Sequence, residues 1–125
     1  MIIDDKYRQL LGKAGFLAVN SGQLDKGEVI FNGLAETAPD KVGPVLGQAL
    51  ILMFKGEIEA AVAKLRNEAL AIDPDDQHVQ AYLGMALQMG GAEEEAKKVL
   101  DRVIVSAQDE SAVKLANELL AQQKG

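Results

Sequence analysis

Glycine and proline recur in this chain at a spacing that constrains the fold more than any other feature. Gly22, Gly56 and Gly91 are separated by 34 and then 35 residues, and Pro39 and Pro74 are 35 residues apart. A fixed period of this length is the signature of a repeat architecture, in which each unit packs on its neighbours. The chain is therefore predicted to consist of repeated units. An irregular helix bundle is the alternative.

Small and large residues keep the same register inside each unit. Five residues after each glycine stands a small residue, and four residues further on stands a large apolar one: Gly27 and Phe31, Ala61 and Leu65, Ala96 and Leu100. A small residue lets two antiparallel helices approach closely, and the large residue fills the space beside it. Proline then ends the second helix. The spacing predicts a helical hairpin in each unit.

Apolar residues also recur at steps of three and four, which is typical of amphipathic helices. Aromatic residues make up only 4% of the chain, and Ala, Leu, Glu and Lys abound, so the composition favours helix over sheet. The last apolar series has no hairpin partner after it and is predicted to be a capping helix. We predict helices near residues 5–20, 24–38, 42–54, 57–72, 76–89, 92–107 and 110–123.

The small, large and proline positions resemble the signature of tetratricopeptide repeats over residues 8 to 108. The resemblance implies an all-α fold, a right-handed superhelix of three helical hairpins with a C-terminal capping helix. We predict that residues 1–125 form a single domain. Its units would be repeats 8–41, 42–76 and 77–109, with the capping helix at 110–123.

The chain departs from the tetratricopeptide pattern at several positions. The bulky aromatic residue that is usual early in the first helix is absent from all three units, and Gly27 stands where alanine is usual. The second unit has one extra residue between Ala61 and Ala69. The third unit has Gln108 where a proline would close it.

The residues that most often carry chemistry are scarce. His78 is the only histidine and there is no cysteine, which excludes a two-histidine or thiolate metal site within one chain. The sequence has no glycine-rich phosphate-binding motif and no Gly-X-Ser-X-Gly motif. We therefore expect no enzyme activity, no cofactor and no metal. The net charge of −6 also disfavours nucleic acid as a partner.

The sequence favours a cytoplasmic location. The absence of cysteine suits a reducing compartment, and the segment Met1–Asp5 lacks the basic start and apolar run of a signal peptide. The longest apolar run, Ala49–Phe54, is too short to cross a bilayer. We expect no membrane insertion.

The predicted helix at 42–54 is apolar nearly all round, so it must be buried on two sides. Its hairpin partner covers one side, and the other would face the concave surface that stacked hairpins create. Projection of each first helix by repeat register places these residues in a partner-binding groove: Phe16, Val19, Asn20, Leu46, Leu50, Met53, Phe54, His78, Ala81, Met85, Gln88 and Met89.

This groove contains three of the four methionines, whose flexible thioethers adapt to varied partners. It holds no lysine or arginine, unlike the clamp with which some tetratricopeptide proteins hold a C-terminal carboxylate, so a charged-tail ligand is disfavoured. In the competing interpretation the array curls tightly or the C-terminal helix folds back, and the same residues form the core.

The chain is similar in length and in predicted architecture to the small cytoplasmic tetratricopeptide chaperones of type III secretion. The resemblance implies a chaperone or adaptor that holds an amphipathic helix of a partner, such as a type III secretion subunit, in the apolar groove. The alternative is a structural scaffold that self-assembles, with its groove filled by a second copy or by another short tetratricopeptide chain. Both interpretations make the protein an interaction module with a protein or peptide-helix partner.

Overall fold

The computed structural model describes residues 5–124, except for the side chain of Lys124. Over this range the chain is helical, and every helix ends within one residue of its predicted limit. The elements are α1 (Asp5–Asn20), α2 (Leu24–Thr37), α3 (Val42–Phe54), α4 (Ile58–Lys64), a π-helical turn (Leu65–Ala69), α5 (Leu70–Ile72), α6 (Gln77–Met89), α7 (Glu93–Ser106) and α8 (Glu110–Lys124). Helix α4, the π turn and α5 form one continuous rod.

Glycine closes the first helix of each hairpin. Gly22, Gly56 and Gly91 have φ values of 81°, 82° and 88°, in the left-handed region that only glycine enters without steric cost. In the first hairpin the amide of Gln23 donates to the carbonyl of Ala18 at 2.8 Å, and the same bond recurs after the other two glycines. This Schellman geometry satisfies the last carbonyls of the helix. It explains why the glycine spacing marks the repeats.

The small and large positions of the repeat meet in the core, as predicted. Phe31, Leu65 and Leu100 are fully buried. A Cβ on Gly84 would overlap the side chain of Leu100, and a Cβ on Gly15 would lie 2.8 Å from the Phe31 ring. Since real Cβ atoms do not approach this closely, the helices of the first and third hairpins pack at a distance that only glycine permits.

The extra residue of the second hairpin is absorbed by the π turn. The amide of Leu70 donates to the carbonyl of Leu65, five residues earlier rather than four. Arg66, Asn67 and Glu68 are exposed, whereas Leu65 and Ala69 at the two ends of the turn are fully buried. The inserted residue therefore bulges into solvent while both flanking residues keep their places in the core.

The third hairpin closes without a proline. Ala107 ends α7 in the left-handed conformation, with φ at 47°. The side-chain oxygen of Gln77 accepts hydrogen bonds from the amides of Gln108 and Asp109, at 2.9 and 3.1 Å. Gln77 is buried, so these bonds fix the turn before α8 against the start of α6.

Helix α8 completes the array at its C-terminal end. Its buried residues Ala112, Ala116 and Leu119 form one cluster with Ala81 of α6 and Leu100 of α7. The all-α class and the order of three hairpins and a capping helix are confirmed over residues 5–124. The right-handed superhelical twist and the single-domain boundaries stay predictions. None of the helices described is long and apolar enough to cross a membrane.

Candidate partner-binding face

Five of the residues predicted to line an open groove are core residues. Val19, Leu46, Leu50, Met53 and Ala81 are at most 8% exposed, so their placement on an accessible surface was wrong. The first helices of successive hairpins pack directly on one another. Leu46, Leu50 and Met53 lie at the contact between α3 and α6. Val19 packs against α2 and Ile51, and Ala81 packs against α7 and α8, so these two residues are also shielded from a partner.

The packing of α3 on α6 shows how residues in the predicted groove become buried. Leu46, Leu50 and Met53 of α3 share one hydrophobic cluster with Val79 and Leu83 of α6. Repeat register places the residues on the inner side of each first helix. It does not show how closely the next helix approaches, and here the approach is close enough to bury them.

In the third hairpin, helix α8 covers part of the predicted groove. His78 Nε2 lies 2.9 Å from Asp109 Oδ2, in the turn that leads into α8. Gln88 Nε2 donates to the carbonyl of Leu119 at 3.0 Å, and Ala81 is fully buried beneath α8. For these residues the competing interpretation, in which the C-terminal helix occupies the groove, describes the structure better.

Asp109 caps the N-terminus of α8. Its Oδ1 accepts a hydrogen bond from the amide of Ala112 at 3.0 Å. This backbone bond lowers the pKa of Asp109 below its usual value, and the hydrogen bond and charge of His78 lower it further, while partial burial opposes both effects. The ionised form of Asp109 therefore stabilises the junction between the third hairpin and α8.

The remaining predicted residues stay at least partly accessible. We call them the candidate face: Phe16, Asn20, Phe54, His78, Met85, Gln88 and Met89. Phe54 and Met89 are 58% and 54% exposed. They occupy the same repeat position at the ends of α3 and α6, 35 residues apart. Two large apolar side chains are thus presented one hairpin apart.

A cavity of about 280 Å³ lies between α1, the end of α2 and the start of α3, and we call it the first-hairpin cavity. Phe16, Phe31 and Leu34 line its apolar side. The two phenylalanine rings meet edge to face with their centroids 4.7 Å apart. Asp5, Arg8, Lys41, Gly12 and Gly43 are among the remaining lining residues.

Sequence reasoning missed Arg8, Lys41 and the two glycines of this cavity. A signal was available, because Gly12 and Gly43 occupy the repeat positions that Ala81 and His78 occupy in the third unit. The first hairpin therefore has no side chain at the inward-facing position of Gly12, and the second hairpin has none at the inward-facing position of Gly43. The cationic rim has no comparable signal, since Arg8 and Lys41 lie outside the projected positions.

A second, more open cavity of about 430 Å³ lies between α6 and α8. Met85, Met89, Leu115 and Leu119 line it together with polar side chains. This cavity continues the candidate face towards the C-terminal end of the array. Within residues 5–124, no three His, Asp or Glu side chains lie close enough together to hold a metal ion.

Comparison with solved structures shows the fold to be that of known tetratricopeptide domains. The first such domain of Spaghetti (RPAP3), solved with an HSP90 peptide, is 17% identical, with a TM-score of 0.76 over 98% of this chain and 100% of the other. A chain of a CopN–Scc3 complex is 19% identical, with a TM-score of 0.70 over 95% of this chain and 70% of the other.

The tetratricopeptide domain of Arabidopsis OM64 is 15% identical, with a TM-score of 0.72 over 92% of this chain and 95% of the other. No curated protein sequence matches this chain significantly. The family model described as tetratricopeptide repeat matches residues 52–122, more than half of the chain. The chain therefore belongs to the tetratricopeptide repeat family, whose arrays are scaffolds for protein interaction.

Proposed function

We propose that this protein is a chaperone or adaptor that holds an amphipathic helix of a partner protein against the candidate face. The observation that carries the proposal is the exposure of Phe54 and Met89, at 58% and 54%, at equivalent ends of α3 and α6. Large apolar side chains exposed together mark interaction sites. An amphipathic helix offers apolar anchors at a regular spacing that would cover both. We propose binding rather than catalysis, because apolar groups dominate this face.

The client class that we propose is a type III secretion subunit, met in the cytoplasm. The order of three hairpins and a capping helix resembles the small chaperones of those systems. Met85 and Met89 adapt their shape to different partners, which suits a holding function. Solved structures similar to this chain include one with a bound peptide and one complex of two proteins, and both support a binding role.

The test compares two double variants of the full chain. Phe54→Ser with Met89→Ser removes the exposed apolar pair of the first helices. Val29→Ser with Val105→Ser removes two valines that are 74% and 84% exposed on the second helices α2 and α7. The partner is identified by co-purification and mass spectrometry, and the affinity of each variant for it is measured by calorimetry.

We expect the Phe54 and Met89 variant to bind the partner at least about tenfold more weakly, since central apolar anchors each contribute more than about 1 kcal/mol. The Val29 and Val105 variant should bind like the wild type. Equal affinity of all three proteins would refute the proposed binding face. Circular dichroism shows whether each variant keeps its helical fold.

A second candidate function is self-assembly, and one observation favours it. Leu10 and Leu17 are 62% and 68% exposed on α1. At the equivalent positions of α6, Val79 and Ala86 are fully buried, and Val79 belongs to the core shared with the second hairpin. Helix α1 therefore exposes two positions that are buried against the preceding hairpin in α6. A second copy or another short tetratricopeptide chain would fit there.

Light scattering over a range of concentrations separates the two functions. Self-assembly predicts a dimer whose fraction rises with concentration and which Leu10→Lys with Leu17→Lys dissociates. A wild-type chain that stays monomeric up to about 1 mM, near the weakest association of interest, would rule out self-assembly as the function. The Phe54 and Met89 variant should leave such a dimer intact.

A further inference from the structure

Two glycines keep the first-hairpin cavity open. A Cβ built on Gly12 or on Gly43 would meet no atom within 4 Å beyond its own helix backbone. Gly12 lies inside α1, and Gly43 lies in the first turn of α3. Glycine is unfavourable in a helix interior, so helix formation does not explain Gly12. Close packing, which explains Gly84, does not explain it either. The absence of both side chains leaves a space that another molecule can enter.

The size of this cavity limits what can enter it. Its volume of about 280 Å³ lies just below the range of about 300 to 1,000 Å³ that is usual for small-molecule and cofactor sites. One bulky side chain from a partner would fit inside it and would contact Phe16, Phe31 and Leu34. Interface anchors of this kind sit in well-packed apolar pockets and carry much of the binding energy.

The rim of the cavity is cationic. Arg8 Nη1 donates to Asp5 Oδ1 at 3.0 Å, but the Asp5 side chain is 74% exposed, so this ion pair is weak. Arg8 Nε is buried and has no acceptor among the described residues. Lys41 makes no ion pair within residues 5–124. Two cations face one exposed carboxylate, in a chain whose net charge is −6.

We infer that the first-hairpin cavity binds a Phe or Leu side chain of the partner helix, and that an acidic residue one turn away on that helix pairs with Arg8 and Lys41. The inference rests on the proposed function and names the chemistry of its partner. A carboxylate beside the anchor pairs with the exposed part of the Arg8 guanidinium and matches the charge of the rim. Gly12, Gln9 and Phe16 lie at inward-facing repeat positions of α1, which makes the cavity continuous with the candidate face.

The experiment uses labelled helical peptides of about 16 residues, a little over four helical turns. The first peptide carries one Phe anchor and a Glu four residues before it. In the second the Phe is Ala, and in the third the Glu is Gln. Fluorescence anisotropy measures their binding to the full chain and to Gly12→Leu, Gly33→Leu and Arg8→Gln. Gly33 is the matched control, because a Cβ there also meets no atom within 4 Å and Gly33 does not line the cavity.

We expect Gly12→Leu to fill the cavity and to weaken binding of the first peptide by at least about tenfold, while Gly33→Leu binds it like the wild type. The Phe-to-Ala peptide should bind weakly to every protein. Arg8→Gln should weaken binding of the Glu peptide and leave binding of the Gln peptide unchanged. Circular dichroism and thermal unfolding show whether the variants remain folded.

Two results would overturn the inference. One is a wild-type chain that does not bind the first peptide. The other is equal binding by Gly12→Leu and Gly33→Leu. If Gly12→Leu has no effect while Phe54→Ser with Met89→Ser still weakens binding of the co-purified partner, the cavity inference fails and the proposed function stands. If Gly12→Leu weakens peptide binding and the Phe54 and Met89 variant does not affect the partner, the proposed function fails instead.

Discussion

Glycine has two opposite roles at the level of single residues in this chain. Gly84 lies where a Cβ would overlap Leu100, so the third hairpin depends on the missing side chain. Gly33 lies inside α2 with open space around it, so its lack of a side chain only weakens the helix. The repeat register marks the first role, because small residues recur at Gly15, Ala49 and Gly84, which are 34 and then 35 residues apart. The sequence does not show which of the two roles Gly33 has, because the surroundings of Gly33 depend on the fold.

Alanine substitutions at these two glycines should therefore act in opposite directions. Gly84→Ala should lower the free energy of unfolding by about 1 to 3 kcal/mol, because overpacking forces Leu100 and the backbone to shift. Gly33→Ala should raise it by about 0.5 to 1 kcal/mol, the difference in helix propensity. Urea unfolding followed by circular dichroism measures both. A stabilising Gly84→Ala would show that the contact between α6 and α7 is looser than the structure describes.

Asp109 makes the stability of the C-terminal junction depend on pH. The hydrogen bond from the Ala112 amide and the contact with His78 lower its folded-state pKa below the unfolded value of about 3.9. Its stabilising contribution is therefore fully present above the unfolded pKa and is lost as the pH falls through the lower folded pKa. Asp109→Ala should reduce stability clearly at pH 7 and less at pH 3.

Urea midpoints at the two pH values test this, with Asp40→Ala as the control for removing one exposed carboxylate in a turn. The control should differ little from the wild type. If Asp109→Ala lowers the free energy of unfolding by the same amount at pH 7 and at pH 3, the ionised carboxylate is not what stabilises the start of α8.

At the level of helices, local chemistry made the ends predictable. Gly22, Gly56 and Gly91 stop the first helices through bonds between residues close in sequence, so their spacing alone located the turns. The π turn was different. The sequence showed one extra residue between Ala61 and Ala69, but its accommodation depends on tertiary packing. Both Leu65 and Ala69 must stay buried, and a bulge of exposed residues between them meets that condition.

Deleting Asn67 should therefore convert the π turn into regular α-helix without disturbing the core. The deletion shortens the Ala61 to Ala69 spacing from eight residues to seven, which equals the Ala96 to Val103 spacing of the third hairpin. We expect a free energy of unfolding within about 0.5 to 1 kcal/mol of the wild type, as for a change on the surface. Chemical denaturation measures it.

The matched control deletes Arg102, an exposed residue of α7 between the buried Leu100 and Val103. Because α7 is regular there, this deletion rotates all later residues by about 100° and turns Val103 out of the core. It should cost about 3 kcal/mol or more, through loss of buried packing. If the two deletions lower the free energy of unfolding equally, the π turn holds the second hairpin in a register that a regular α-helix cannot provide.

At the level of the whole molecule, repeat register predicted positions but not distances. It places Leu46 and Leu50 in the groove, but their burial depends on how closely α6 approaches, which side-chain packing decides. The first-hairpin cavity was missed for the same reason. Gly12 and Gly43 are far apart in sequence, and only the packing of α1 on α3 brings them to one space.

Removal of helix α8 tests whether the fold needs the last helix of the array. A chain ending at Gln108 would expose Ala81, Leu100 and Val103, which are now fully buried. It would also remove the hydrogen bond from the Asp109 amide to Gln77 and the contact of Asp109 with His78. Repeat arrays depend on a terminal element with a polar outer face. We expect this truncation to cost more than Leu119→Ala, which removes one buried side chain and should cost about 2 to 5 kcal/mol.

Urea unfolding and light scattering together measure the effect of the truncation. Because each hairpin contacts only its neighbours, the loss should fall mainly on the third hairpin and should make the unfolding transition broader. The apolar surface left on α6 and α7 should also cause association at high concentration. A truncated chain that unfolds at the same urea concentration as Leu119→Ala and stays monomeric would mean that three hairpins are stable without α8. The contact of α8 with Gln88 and Met85 would then serve the partner-binding face rather than the fold.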